Sequence, residues 1–137
     1  MNDTMKIIFM VDDNATNLLV GRNTLSETYN VFTCNSGERM FRLLEKIRPD
    51  LILLDIEMPE MDGYEVLKQL KGSQTTADIP VVFLTAYGSA ESEARGLSLG
   101  ALDYITKPFP PEFLLERIRT HLCEGQGTSP FPIIDVK

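Results

Sequence analysis

"LILLDIEMPEMDG", Leu51 to Gly63, is the stretch on which the reading of this chain turns. Four large apolar residues run straight into Asp55, and a turn containing Pro59 follows. An apolar run with no polar alternation reads as a strand buried on both faces, as in a parallel sheet covered by helices. A lone carboxylate at the end of such a strand is expensive to bury, so Asp55 needs an explanation.

Working outward, the same short apolar character returns in "KIIFMV" (6–11), "NVFTC" (30–34), "IPVVFLT" (79–85) and "LDYIT" (102–106), alongside "DLILLD" (50–55). Each has strand length and is rich in β-formers. The segments between them show helical spacing. Residues 14–28 carry Ala15, Leu18, Leu19 and Leu25, and residues 36–47 carry Met40, Leu43, Leu44 and Ile47 behind a Ser36 N-cap. Residues 62–71 carry Val66, Leu67 and Leu70, and a helix started by Pro110 and Pro111 carries Leu114, Leu115, Ile118 and Leu122. The segment 89–99 offers only Ala90, Ala94 and Leu97, with Gly96 inside it, which predicts a weakly anchored helix. Strands joined by helical crossovers must be parallel. The expectation is therefore an open α/β sheet of five parallel strands with helices on both faces. The tail "EGQGTSPFPIIDVK" (124–137) turns to Gly, Ser and Pro and is expected to be a linker or disordered end, leaving 1–123 as the folded domain.

The chain has 137 residues, 43% hydrophobic and 24% charged, which suits one soluble domain with its own core. A net charge of -7 argues against non-specific binding to nucleic acid or an anionic membrane. No apolar run approaches bilayer length, and "MNDTMKIIFMVDD" runs into acids too soon to read as a signal peptide, so a cytoplasmic location is expected. Cys34 and Cys123 have no CxxC spacing and are expected as two separate reduced thiols.

Ligands of open α/β sheets bind beyond the carboxyl ends of the strands. Asp12 and Asp13 follow the first strand, Asp55 the third, Thr85 the fourth and Lys107 the fifth. Each alone has a plainer explanation as a cap, a turn or a surface residue; gathered at one sheet edge, they ask for a common one. Clustered carboxylates repel, and a hard cation such as Mg²⁺ relieves this through oxygen ligands. Zinc is disfavoured: the single histidine, His121, lies far along the last helix, where a surface or packing role is expected. A lysine and a threonine hydroxyl beside a carboxylate suit an arriving phosphoryl group. The set describes a carboxylate nucleophile that accepts phosphate.

With "VDDN" (11–14), "LLDIEMPEMDG" (53–63), "FLTAYG" (83–88) and "DYITKPF" (103–109) in this order, residues 5 to 122 resemble the receiver domains of two-component response regulators. The resemblance implies a flavodoxin-like, doubly wound sheet of strand order 2-1-3-4-5. It implies Asp55 as phosphoacceptor for a phosphohistidine of a sensor kinase or phosphotransfer protein. Mg²⁺, with Mn²⁺ as an alternative, would be held by Asp12, Asp13, Asp55 and the Glu57 backbone carbonyl. Lys107 would pair with the phosphate, Thr85 would move to bond it, and Tyr104 would be the switch aromatic that follows Thr85 inward. The Lys107–Pro108 peptide would be cis. The product is a conformational signal, so no enzyme in the metabolic sense is expected.

The output face would be helix 89–99, strand 102–106 and helix 110–122, serving a homodimer or an output domain C-terminal to this chain. "RIRTHL" (117–122) resembles the end of receivers that precede cyclic-dinucleotide enzymes or kinase modules. "GALDY" departs from relatives with two adjacent acids; Leu102 is expected as a buried strand residue, a partner surface being the alternative if exposed. Glu57 and Tyr87 flank the site at positions that influence the lifetime of the acyl phosphate in the family, with the direction left open. Two other readings stand beside the switch: a non-phosphorylated docking receiver, and a haloacid-dehalogenase-like phosphohydrolase with Glu57 as general acid. "MPEMDG" and the lack of a cap insertion argue against the latter.

Overall fold

The apolar runs and the helical segments between them become ten alternating elements: β1 (Ile7–Val11), α1 (Ala15–Leu25), β2 (Asn30–Cys34), α2 (Gly37–Leu44), β3 (Leu51–Leu54), α3 (Gly63–Lys71), β4 (Val81–Thr85), α4 (Ala90–Ser98), β5 (Asp103–Thr106) and α5 (Pro111–Leu122). The structure is a computed structural model, and it describes residues 5–86, 88–107 and 110–122. The strands form one sheet of order β2-β1-β3-β4-β5, every neighbouring pair parallel. This is the expected flavodoxin-like architecture.

Alternating side chains send the strands' apolar groups to two cores. Phe9, Val11, Ile52, Leu54 and Phe83 pack with Met40, Val66, Leu67 and Leu70 of α2 and α3. Ile8, Met10, Leu51, Leu53, Val82 and Leu84 pack with Leu25, Leu114 and Ile118 of α1 and α5. All four residues of β3 and all five of β4 are buried, which is why those runs show no polar alternation. Four helices begin with a side-chain cap: Asn14, Ser36, Asp62 and Ser89 each accept from the backbone N–H three residues on.

Two expectations need correction and a third gains detail. In α1, Leu25 is buried and Leu18 half-buried as expected, but Ala15 and Leu19 are exposed and Gly21 is seated in their place. The small Gly21 lets the helix close on Met10 beneath it, turning Leu19 outward. Leu102 is 46% exposed: its N–H donates to the Val81 carbonyl (2.8 Å), but it precedes β5 and its side chain faces solvent. His121, expected in a surface or packing role, is a packing residue, and its packing is polar. Its Nε2 lies 2.8 Å from Asp103 Oδ2, while Arg117 donates to Asp103 Oδ1. Burial would raise the Asp103 carboxyl, but the hydrogen bonds from His121, Arg117 and the Tyr104 amide overcome it and hold it down at about 2.

The weak helix is real, with one refinement. In α4, Ala90, Ala94 and Leu97 are all exposed and Gly96 is the buried residue. A Cβ at Gly96 would stand 3.0 Å from the Phe83 ring and 3.3 Å from that of Tyr104. The glycine that lowers helix propensity is thus what lets α4 approach the sheet. Cys34 is buried, and burial, against a weaker opposing pull from Arg39, pushes its thiol up to about 11, so it remains protonated. Cys123 and the tail 124–137 lie outside the described residues.

Candidate phosphoacceptor and metal site

The site is built by continuing the strand ladders one residue past their regular ends. The Asp12 N–H donates to Cys34 (3.1 Å), the Asp55 N–H to Val11 (2.9 Å) and the Lys107 N–H to Thr85 (2.8 Å). Parallel strands end on the same side, so these bonds bring the three side chains to one edge. Asp12, Asp55 and Thr85 are buried there, Asp13 is exposed and Lys107 is half-buried. Oxygens of Asp12, Asp13 and Asp55 all lie within 4.8 Å of one another.

The loop after Asp55 is held shut by Gly63, whose N–H donates to the Ile56 carbonyl (2.8 Å). A Cβ at Gly63 would meet the Asp55 carbonyl oxygen at 2.5 Å and Ile56 Cα at 2.8 Å, so only glycine lets α3 start this close to the end of β3. Glu60 turns the loop with φ of 73°. The open cleft beside it, about 810 Å³, is lined among others by Asp12, Asp13, Asp55, Glu57, Arg95 and Lys107.

Electrostatics set the protonation of the cleft. Burial, reinforced by the charge of Asp12 and less by Asp13, pushes the Asp55 carboxyl up to about 6 against the pull of Lys107 and the Ile56 N–H. Lys107 Nζ lies 3.2 Å from Asp12 Oδ2. Asp12 is gripped further by the Asn14 N–H on Oδ1 (2.9 Å) and by Asn17 Nδ2 on Oδ2 (3.1 Å). Asn17 was missed in the sequence; its position in the first turn of α1, five residues after Asp12, is the signal that could have exposed it. Three converging carboxylates with one raised pKa fit a hard, oxygen-preferring divalent cation and offer nothing to a thiophilic one.

The other expected residues are distributed around this centre. Glu57 is exposed in the cleft wall. Tyr104 is buried, edge-on to Phe83 with centroids 6.1 Å apart, and burial raises its phenol. Tyr87 and Pro108, hence the Lys107–Pro108 peptide, fall outside the described residues. Tyr64 and Arg95 were not foreseen: the Arg95 guanidinium sits 4.0 Å over the Tyr64 ring, and Tyr64 Oη donates to the Ser92 carbonyl (3.2 Å).

Comparison with known proteins bears on this geometry. The sequence pattern of the response regulator receiver domain matches residues 8–119. A "Probable cyclic di-GMP phosphodiesterase" of Vibrio cholerae serotype O1 is 42% identical over 115 residues, covering 84% of this chain and 26% of that protein. The "DNA-binding dual master transcriptional regulator RpaA" of Synechocystis is 39% identical over 117 residues, covering 85% of this chain and 48% of that protein. The chain thus spans half or less of the length of these curated relatives. Among solved structures, Vibrio cholerae chemotaxis protein CheY4 superposes with a TM-score of 0.80 at 31% identity, covering 85% of this chain and 98% of that one.

Proposed function

The chain belongs to the response regulator receiver domain family, and from that premise we propose that it is a phosphorylation-driven switch whose phosphoacceptor is Asp55. The observation that carries the reading is the convergence of the Asp12, Asp13 and Asp55 oxygens within 4.8 Å, beside Lys107. An Asp55 oxygen attacks the phosphorus of a phosphohistidine on a sensor kinase or phosphotransfer protein. The O–P bond forms as the N–P bond breaks, and the electron pair returns to the imidazole nitrogen. Asp12, Asp13, Asp55 and the Glu57 carbonyl would hold Mg²⁺ or Mn²⁺, which when bound offsets the negative charge gathered by carboxylates and phosphoryl oxygens. Lys107 exchanges its bond to Asp12 for one to a phosphoryl oxygen, and the Thr85 hydroxyl donates to another.

The response is a shift between two arrangements of one fold. Thr85 moves toward the phosphoryl group, Tyr104 takes the space this leaves, and the α4-β5-α5 face changes. That face exposes Leu97, Leu102 and Phe113, which supports its use against an output domain, a partner or a second copy of the chain. Glu57 and Tyr87 tune the lifetime of the phosphorylated state. Among the described residues no helix is long and apolar enough to cross a membrane, and a cytoplasmic place of action is part of this proposal.

Incubation with labelled acetyl phosphate and Mg²⁺ tests the reading. We expect stoichiometric, alkali-labile labelling that is lost with chelator and in Asp55→Asn. Labelling of Asp55→Asn equal to wild type would overturn Asp55 as phosphoacceptor, and no labelling of wild type would favour the non-phosphorylated docking receiver.

A further inference from the structure

Arg95 stands out because its charge has no assigned use. It is exposed on α4, yet it lines the same cleft as Asp55 and Lys107. Among the described residues no carboxylate forms an ion pair with it; its guanidinium lies instead over the Tyr64 ring at 4.0 Å. Tyr64 is well placed to hold it. The ring is buried and edge-on to Phe83 at 5.6 Å, and it follows Gly63, which is pressed against the Asp55 and Ile56 backbone. The stack and the Tyr64–Ser92 hydrogen bond therefore clasp α4 to the start of α3. Apart from these, α4 has the Ser92 contact with the Tyr104 phenol and Gly96 on Phe83 and Tyr104, and the helix has no other buried residue.

We infer that Arg95 is a second phosphoryl-binding cation, parked over Tyr64 until a phosphoryl group on Asp55 draws its guanidinium off the ring, releasing the α3–α4 clasp and pulling α4 toward the cleft. The inference rests on the assignment of Asp55 as phosphoacceptor. Its physical basis is a competition. A guanidinium over a ring is held by the ring quadrupole alone. A phosphoryl group offers roughly two negative charges and several acceptor oxygens, which the planar guanidinium fork can meet with two parallel hydrogen bonds. Lys107 has an alternative partner in Asp12, whereas Arg95 has none among the described acids, so the phosphoryl group gains a cation whose release costs no ion pair. Because the cation is carried on the least anchored helix, the same contact that binds the phosphoryl group also moves the output face. This route runs from Asp55 through Arg95 and Tyr64, and it meets the one through Thr85 and Tyr104 where the Tyr104 phenol contacts Tyr64 and Ser92.

The test uses the whole chain with Mg²⁺ and beryllofluoride, a non-covalent phosphoryl mimic, comparing wild type, Arg95→Met and Arg95→Lys. Arg95 is exposed, so neither substitution disturbs the core; circular dichroism checks this directly. Calorimetric titration is expected to show beryllofluoride binding weakened about tenfold in Arg95→Met and roughly threefold in Arg95→Lys, which keeps charge but not the fork. Mg²⁺ alone should bind both variants no more weakly than wild type. Hydrogen exchange of the amides of residues 90–98 should quicken on adding beryllofluoride to wild type, and should already be quick and unresponsive in Arg95→Met. Beryllofluoride affinity of Arg95→Met within twofold of wild type, or wild-type exchange of α4 unmoved by the mimic, would overturn the inference while leaving Asp55 as phosphoacceptor. Failure of wild type to bind the mimic at all would overturn the phosphoacceptor assignment and this inference together.

Discussion

The helices α3 and α4 have the same length, nine residues, and opposite attachments. The first buries Gly63, Tyr64, Val66, Leu67 and Leu70; the second buries Gly96 alone. Both start with a good cap and both carry acids in the first turn, so local helix chemistry does not separate them. What separates them is the side-chain area each removes from water, the dominant favourable term in holding a helix to a sheet. A deeply anchored helix and a lightly anchored one thus both touch the cleft that holds Asp55, through Tyr64 and Arg95. A switch needs this combination: a fixed frame that keeps the chemistry aligned, and an element near zero net attachment that a single charged group can move.

The comparison is easiest to break with paired truncations. Leu67→Ala in α3 should lower unfolding free energy by about 3 kcal/mol, since the side chain is fully buried and a cavity remains. Leu97→Ala in α4, 42% exposed, should change it by less than about 0.5 kcal/mol. Urea denaturation measures both, and equal losses would erase the distinction.

The other neighbour of α4, β5, is held to α5 partly by charge, and pH sharpens that difference. Asp103 is held at about 2 in the folded protein against an ordinary 3.8. A depressed carboxyl stabilises the fold fully above its unfolded pKa, and loses that contribution as pH falls through 3.8 toward 2. With a side chain only 12% exposed, the contribution is about 2 kcal/mol. Asp103→Asn should therefore be less stable by about that amount at pH 7 and show a flatter acid limb in pH-dependent denaturation. An acid limb as steep as wild type would mean that the Arg117 and His121 contacts contribute nothing to stability.

The most local expected effect concerns the cap of α4. Ser89 accepts from the Ser92 N–H at 3.0 Å, and Ser89→Ala should cost about 1 kcal/mol. In so lightly attached a helix the loss should appear as faster amide exchange confined to α4, with the global transition almost unmoved. A change spread over the whole domain would show that α4 unfolds only together with the rest.

Element order, strand identity and the gathering of Asp12, Asp13, Asp55, Thr85 and Lys107 were all legible in the linear pattern. The reason is geometric: in a parallel sheet every strand finishes on the same side, so knowing where apolar runs stop is enough to know which polar residues meet. Hydrophobic burial is also non-directional, so its period survives in the sequence without knowledge of partners.

Pairings between distant elements had no such signature. Asp103 with His121, and Arg95 with Tyr64, depend on the angle and distance at which helices settle on the sheet. A hydrogen bond or ring contact is decided by tenths of an ångström, which a residue pattern does not encode. Steric fit likewise turned α1 so that Gly21 faces Met10 and Leu19 faces water, and made Gly96 a seat for α4. In both helices the space available under the backbone outweighed the apolarity of the longer side chains, and that space exists only once the sheet has been built.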